Sequence, residues 1–177
     1  MAGIPCDAFE MPPDQRDRAG AWADYLAPVF EVELLPTARI DEDVHAKTYN
    51  FGGILIGTVE APAQRLKRTS RMIARQGIDH LLLQFYRAGD VRIEGVKQPA
   101  IVRPRHVAVF DMTQSVTTEA TRTTAIKLIL PRKLLVDQIG ANEGDAQHRA
   151  NPGVTTRCPH VIPCRDQRRH QRAPEPP

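Results

Sequence analysis

Between residues 65 and 135 the sequence is a regular succession of short β-type segments separated by turn residues. The clearest segments are residues 78–87, 91–94, 100–103, 107–112, 116–120 and 125–130. Strands this short, recurring roughly every ten residues, are typical of an all-β sandwich or barrel. This rhythm predicts a mainly β fold.

Helices are predicted before and after the strands. Asp14 can cap a short amphipathic helix over residues 14–26, in which Trp22 and Leu26 lie near one face. Pro28 then ends the helix. A second helix is predicted over residues 132–139, directly after the last strand. The predicted order is therefore helix, seven to nine strands, helix.

Four further segments have strand character. Residues 28–35, 44–49 and 51–60 are rich in β-formers, and Gly57 suggests a close approach of two backbones. Residues 67–75 are basic and compatible with a helix or a strand, but the Gln-Gly pair that follows them favours a hairpin, so we predict a strand.

Length and composition limit the alternatives. A chain of 177 residues suffices for one folded unit. No apolar run is long enough to cross a membrane, and the first 13 residues, which we expect to be flexible, do not form a secretory signal. Cys6, Cys158 and Cys164 are an odd set without regular spacing, so we expect no disulfide and a cytoplasmic location.

The segment from residue 145 to 177 differs abruptly from the rest. It lacks Leu, Phe, Tyr, Trp, Met and Lys, and it holds six arginines against three acidic residues, whereas residues 1–144 carry 18 basic and 18 acidic residues. Such a segment buries too little apolar surface to offset the entropy of ordering, so we expect disorder. A shifted reading frame is one hypothesis for its composition.

The order of residues along the central segment has a known counterpart. It runs through Arg68-Thr69, Ile73-Ala74, Asp79, Leu81-Leu82-Leu83, Ala88-Gly89, Gly95, Arg103-Pro104, Asp111 and Leu130-Pro131-Arg132-Lys133-Leu134-Leu135. Together with Trp22 and the strand at residues 30–34, this ordered set resembles the N-terminal ligand-binding domain of many AraC-family transcription regulators. The resemblance covers about residues 16–140.

The resemblance implies a cupin-like antiparallel jelly roll or barrel that encloses a small molecule, with helices that mediate dimerisation. In the family a pair of helix-turn-helix units follows, for which this sequence has no room. One departure concerns a turn. The family commonly has Gly-Asp after the Arg-Pro pair, whereas this sequence has Arg105-His106. Because glycine takes positive φ at no cost and arginine does not, this departure bears on the geometry of the turn.

We therefore expect residues 14–144 to form an effector-sensing and dimerisation domain of AraC type, truncated or stand-alone. The expected partners are a small-molecule effector and a second copy or a full-length regulator. We expect no cofactor, no membrane association and no sequence-specific DNA binding. Two alternatives stay open: a small cupin-type metal-dependent enzyme, and a truncated gene product without function.

His80, Gln84 and Tyr86 are the candidate ligand-binding residues. They alternate along one strand and so share one face, opposite Leu81 and Leu83. If that face points into the barrel, it supplies the few polar groups that orient a ligand in an apolar cavity. The alternative is that it faces solvent. On the strand at residues 125–130, by contrast, we expect the side that carries Ile126, Leu128 and Leu130 to pack in the core.

Catalytic chemistry has little support. His45, His80 and His106 are a conceivable metal-binding trio, but the His-x-His pair of cupin enzymes is absent, so we predict no metal site. The sequence also contains no G-x-S-x-G, P-loop or H-E-x-x-H motif. We expect no enzymatic activity.

Overall fold

The computed structural model describes residues 4–94, 99–134 and, as backbone, 160–163. The elements in these ranges are β1 (Cys6–Glu10), α1 (Gln15–Leu26), β2 (Glu31–Leu34), β3 (His45–Phe51), β4 (Ile54–Ala61), β5 (Gln64–Arg68), α2 (Ser70–Gln76), β6 (His80–Ala88), β7 (Val91–Glu94), β8 (Ala100–Val102), β9 (His106–Asp111), β10 (Val116–Ala120), β11 (Thr123–Pro131) and β12 (His160–Pro163). Residues 132–134 are helical, and the rest of the helix predicted there lies outside the described residues.

The strands form two antiparallel sheets. One has the order β1-β3-β4-β11-β6-β9-β12 and the other the order β2-β5-β10-β7-β8. Their facing sides enclose a core that includes Leu82, Ile93, Val102 and Phe110. The predicted mainly β, jelly-roll-like barrel is thereby confirmed.

Helix α1 packs against strands of the barrel. The Asp14 side chain accepts a hydrogen bond from the Arg16 amide at 2.9 Å and caps the helix, as predicted. Trp22 on its inner face is fully buried and contacts the ring of Phe9 edge-on, at 5.4 Å between ring centroids. The helix is therefore attached to the sheets by aromatic packing.

Strand β1 lies within the N-terminal segment that was expected to be flexible, and the structure differs from that prediction at these five residues. Cys6 to Glu10 pair with β3, with Phe9 opposite Ala46. The Phe9 ring stacks on Tyr25 at 4.7 Å. Burial of this aromatic side chain against α1 offsets the entropy of ordering the strand, which local composition does not reveal.

The prediction for residues 67–75 is wrong over most of its length, because β5 ends at Arg68 and α2 follows. Thr69 caps α2 by accepting a hydrogen bond from the Met72 amide at 3.3 Å. Gly77, with φ 61°, then ends the helix in the left-handed conformation. The glycine that suggested a hairpin is thus a helix C-cap.

Two positions flagged in the sequence have unusual backbone geometry. Arg105 has φ 71°, so the turn after the Arg-Pro pair does require the conformation that glycine adopts easily. At Gly57 an added Cβ would collide with the backbone carbonyl of Lys47 on β3. The predicted close approach of two backbones is therefore present at Gly57.

Strand β12 lies within the segment expected to be disordered. Its residues pair antiparallel with β9, with His160 opposite Val109 and Pro163 opposite His106. The structure differs from the prediction at these four residues, which include the β-formers Val161 and Ile162. The remainder of the segment from residue 145 to 177 lies outside the described residues, and its disorder stays a prediction.

Candidate functional site

A cavity of about 150 Å³ lies inside the barrel, between the two sheets and α1. Its apolar wall includes Trp22, Phe30, Leu66, Leu82, Val91 and Ile129. A cavity of this volume accommodates a molecule about the size of benzene. The space is therefore suited to a small ligand with an apolar body.

Strand β6 supplies the cavity with its main polar groups. Because alternate residues of a strand share a face, His80, Leu82, Gln84 and Tyr86 all reach the cavity wall. The structure thus brings the three candidate residues together at one cavity and not on a solvent-facing surface.

Gln84 and Tyr86 are coupled by a hydrogen bond. The Tyr86 hydroxyl donates to Gln84 Oε1 at 2.5 Å, and burial raises the pKa of Tyr86 above its usual value. Tyr86 therefore stays a neutral donor at physiological pH. This bond uses the Gln84 carboxamide oxygen, so the carboxamide nitrogen is available as a donor.

His80 contributes an unsatisfied polar atom. Its Nδ1 is buried and has no hydrogen-bond partner within the part of the chain that the structure describes. A buried polar atom without a partner costs about 1–3 kcal/mol. A ligand that supplied the missing partner would recover part of that free energy.

Lys127 lines the cavity although no sequence motif pointed to it, and the prediction that the Ile126 side of β11 packs in the core is wrong. Ala125, Lys127 and Ile129 line the cavity, whereas Ile126 points outward and is 39% exposed. The reason is register, since Lys127 stands opposite Gln84 of β6 and therefore shares its face. In the sequence, the only local indication that this position is unusual was a lysine within an otherwise apolar strand.

Lys127 is held in a weakly polar environment. Its ammonium nitrogen lies 5.9 Å from the centroid of the Tyr25 ring, within cation–π range. Burial lowers the pKa of Lys127, and the charge of Asp7 partly opposes that effect. Among the described residues, no carboxylate forms a salt bridge with Lys127.

A second hydrogen bond fixes the helix against the cavity. Trp22 Nε1 donates to Gln64 Oε1 at 2.7 Å, and both side chains are buried. This bond links α1 to β5 and satisfies the indole nitrogen, which would otherwise be buried without a partner. The wall formed by α1 therefore has a defined position relative to the smaller sheet.

The three histidines considered as metal ligands do not converge. His45 lies on β3 with its Nδ1 2.6 Å from the Asp43 carbonyl oxygen, and the His106 ring contacts the Arg103 carbonyl oxygen at 3.2 Å. Over residues 4–94 and 99–134, no three His, Cys, Asp or Glu side chains are grouped as metal ligands. In the same ranges, no helix has the length and apolarity needed to span a membrane.

The fold is a jelly-roll-like barrel with an internal cavity. No family model matches the sequence, and no curated protein matches it significantly. Among solved structures, the chain is similar to the AraC-like transcriptional activator CuxR, with 22% identity and a TM-score of 0.66. The similarity covers 79% of this chain and 52% of that protein, so the chain spans about half the length of the activator. This likeness shows a shared fold.

Proposed function

We propose that this chain is the effector-sensing domain of an AraC-type transcription regulator. The observation that carries the proposal is the cavity, which combines an apolar wall with the buried His80 Nδ1, an atom that has no hydrogen-bond partner among the described residues. Such sites orient a small ligand through a few hydrogen bonds while its body is buried. The fold shared with an AraC-like activator supports a regulatory role over a catalytic one.

His80, Gln84 and Tyr86 are the proposed ligand-binding residues. The Gln84 amide nitrogen donates to the ligand, and Tyr86 holds that amide in place through its hydroxyl. His80 supplies a further hydrogen-bonding atom through its unsatisfied Nδ1. Because all three lie on one strand, ligand binding stiffens the centre of the larger sheet.

A ligand screen by thermal unfolding tests this proposal. A ligand present at about 100 times its Kd adds about 2.7 kcal/mol of stability, which raises Tm by roughly 5–10 °C in a chain of this size. Ala125→Leu fills part of the cavity, and Ile126→Leu on the outer face of the same strand is the matched control. Hits should stabilise the wild type and the Ile126→Leu variant but not the Ala125→Leu variant.

The outcome that contradicts a sensor is equally specific. A chemically diverse library that yields no stabilising compound, although the protein is folded, would remove the support for an effector site. So would compounds that stabilise the Ala125→Leu variant as strongly as the wild type, because they bind elsewhere.

The proposal includes pairing with a second copy or with a full-length regulator. A sensor domain that pairs with a full-length regulator but contributes no DNA-binding domain competes with the pairing of two full-length regulators. Size-exclusion chromatography with light scattering on the chain alone, and after mixing with an intact relative, measures both associations. A discrete dimer supports this part of the proposal, whereas a monomer in both experiments contradicts it and aggregation supports a non-functional product.

A further inference from the structure

A row of cross-strand neighbours runs across the larger sheet at the level of Lys127. In register, Asp7 of β1 stands opposite Thr48, Thr48 opposite Gly57, Gly57 opposite Lys127, and Lys127 opposite Gln84. Directly opposite residues of an antiparallel pair present their side chains to the same face. Lys127 and Gln84 are therefore adjacent on the cavity wall.

The charge of Lys127 is not balanced within the cavity. None of the cavity-lining residues that the structure describes is an aspartate or a glutamate. Among the described residues, Asp7 is the carboxylate whose charge raises the pKa of Lys127, and Asp7 is itself exposed on the edge strand β1. A partly buried cation without a counter-ion is unfavourable, so an anion that enters the cavity gains from pairing with it.

The neighbouring donor narrows the chemistry of that anion. Gln84 Oε1 accepts from Tyr86, so the amide nitrogen of Gln84 is the group that remains for a ligand. An ammonium and an amide nitrogen side by side match the two oxygens of a carboxylate. The rest of the cavity is mainly apolar and about 150 Å³ in volume, which fits a body about the size of a benzene ring.

We propose that the cavity binds a small organic carboxylate with an apolar body, with Lys127 as its counter-ion and Gln84 as its second donor. This inference rests on the proposed sensor function and specifies the chemical class of its effector. The apolar body lies against the aromatic wall near Trp22, whose fluorescence then reports binding.

Benzoate and its neutral isostere benzamide are the probes for this inference. For ligands with so few heavy atoms, a Kd of about 0.1–1 mM is expected for benzoate. Titration calorimetry, with Trp22 fluorescence as a second readout, should show benzoate binding at least about tenfold tighter than benzamide, because only benzoate forms the charge-assisted contacts.

Lys127→Met keeps the length of the side chain and removes its charge. This variant should bind benzoate about 10- to 100-fold more weakly, with benzamide binding unchanged, and it should fold at least as well because a buried charge is lost. Lys47→Met, which removes an exposed lysine of β3, is the matched control and should leave benzoate binding unchanged.

The results separate this inference from the proposed function. Equal binding of benzoate and benzamide, or benzoate binding that survives Lys127→Met, overturns the carboxylate assignment. If benzoate fails to bind while the library yields neutral ligands that the Ala125→Leu variant rejects, the sensor proposal stands and the carboxylate assignment falls. If benzoate fails to bind and the library yields no ligand, the sensor proposal and the carboxylate assignment both fail.

Discussion

Replacing Arg68 with methionine is expected to lower the free energy of unfolding by about 3 kcal/mol. Arg68 ends β5 and is only 1% exposed. Its Nε donates to the Met112 carbonyl oxygen at 2.7 Å, and its Nη1 donates to the Val29 carbonyl oxygen at 2.9 Å and to Gln76 Oε1 at 2.9 Å. One guanidinium therefore links β5 to three other parts of the chain.

The magnitude follows from the acceptors that Arg68 satisfies. After the substitution, the buried carbonyl group of Met112 and the partly buried carbonyl group of Val29 lose this donor, at about 1–3 kcal/mol each. Removal of the charge offsets part of that loss, because burial already disfavours the charged form, as the lowered pKa of Arg68 indicates. Its Nη2 is also buried without a partner among the described residues. The two losses together come to about 2–6 kcal/mol, and the offset from removing the buried charge places the net loss in the lower half of that range, near 3 kcal/mol.

Urea unfolding followed by fluorescence measures the effect. Trp22 is the single tryptophan of the chain and is fully buried, so its emission reports loss of the barrel directly. With a slope of about 2 kcal/mol per molar urea, the expected loss moves the midpoint by roughly 1.5 M. Arg71→Met on the exposed side of α2 is the matched control and should change stability by less than about 0.5 kcal/mol.

A conservative substitution separates charge from geometry. Arg68→Lys keeps the charge but not the planar arrangement of donors, so it should recover only part of the lost stability. If Arg68→Met costs less than about 1 kcal/mol, or if it equals the Arg71→Met control, the assignment of Arg68 as a structural link is refuted.

Two further predictions test the backbone and the surface charges. Gly57→Ala should destabilise the protein by more than about 2 kcal/mol, because the added Cβ would meet the Lys47 carbonyl group. Gly20→Ala in α1 should stabilise the protein by roughly 0.5–1 kcal/mol, because an added Cβ there meets no atom within 4 Å outside the backbone of its own helix. Thermal unfolding of both variants measures these effects. Arg122 donates two hydrogen bonds to Asp41 and holds the pKa of that carboxyl below its usual value, so the contribution of the pair is present above about pH 4 and is lost as the pH falls through the lowered pKa. Urea unfolding between about pH 6 and pH 3 should therefore show the wild type and an Arg122→Gln variant converging in stability at the acid end, and parallel curves would contradict this account.

Much of the candidate site could be anticipated from local pattern, and part of it could not. The alternation along β6 places His80, Gln84 and Tyr86 on one face whatever the tertiary fold, since successive side chains of a strand point to opposite sides. Which face points inward is not a local property, because Leu81 and Leu83 make the other face equally apolar. For this reason the sequence alone did not decide whether the face that carries His80, Gln84 and Tyr86 points into the barrel or toward solvent.

The same ambiguity explains why Lys127 was overlooked. On β11 the outward side carries Ile126 and Leu128, so hydrophobicity alone favours the wrong face for the core. Only the pairing of Lys127 with Gln84 on β6 turns the lysine toward the cavity. A shift of register by one residue would exchange the two faces entirely.

By itself, the sequence determined the class of fold, the capped first helix and the position of most strands, because turn residues and alternating β-formers act over a few residues. The tertiary structure decided which sheet faces meet, that β1 is ordered by packing of Phe9 on α1, and that Gly77 ends a helix. These outcomes depend on contacts between residues far apart in the chain. The free energy of such contacts exists only once the two sheets enclose a common interior.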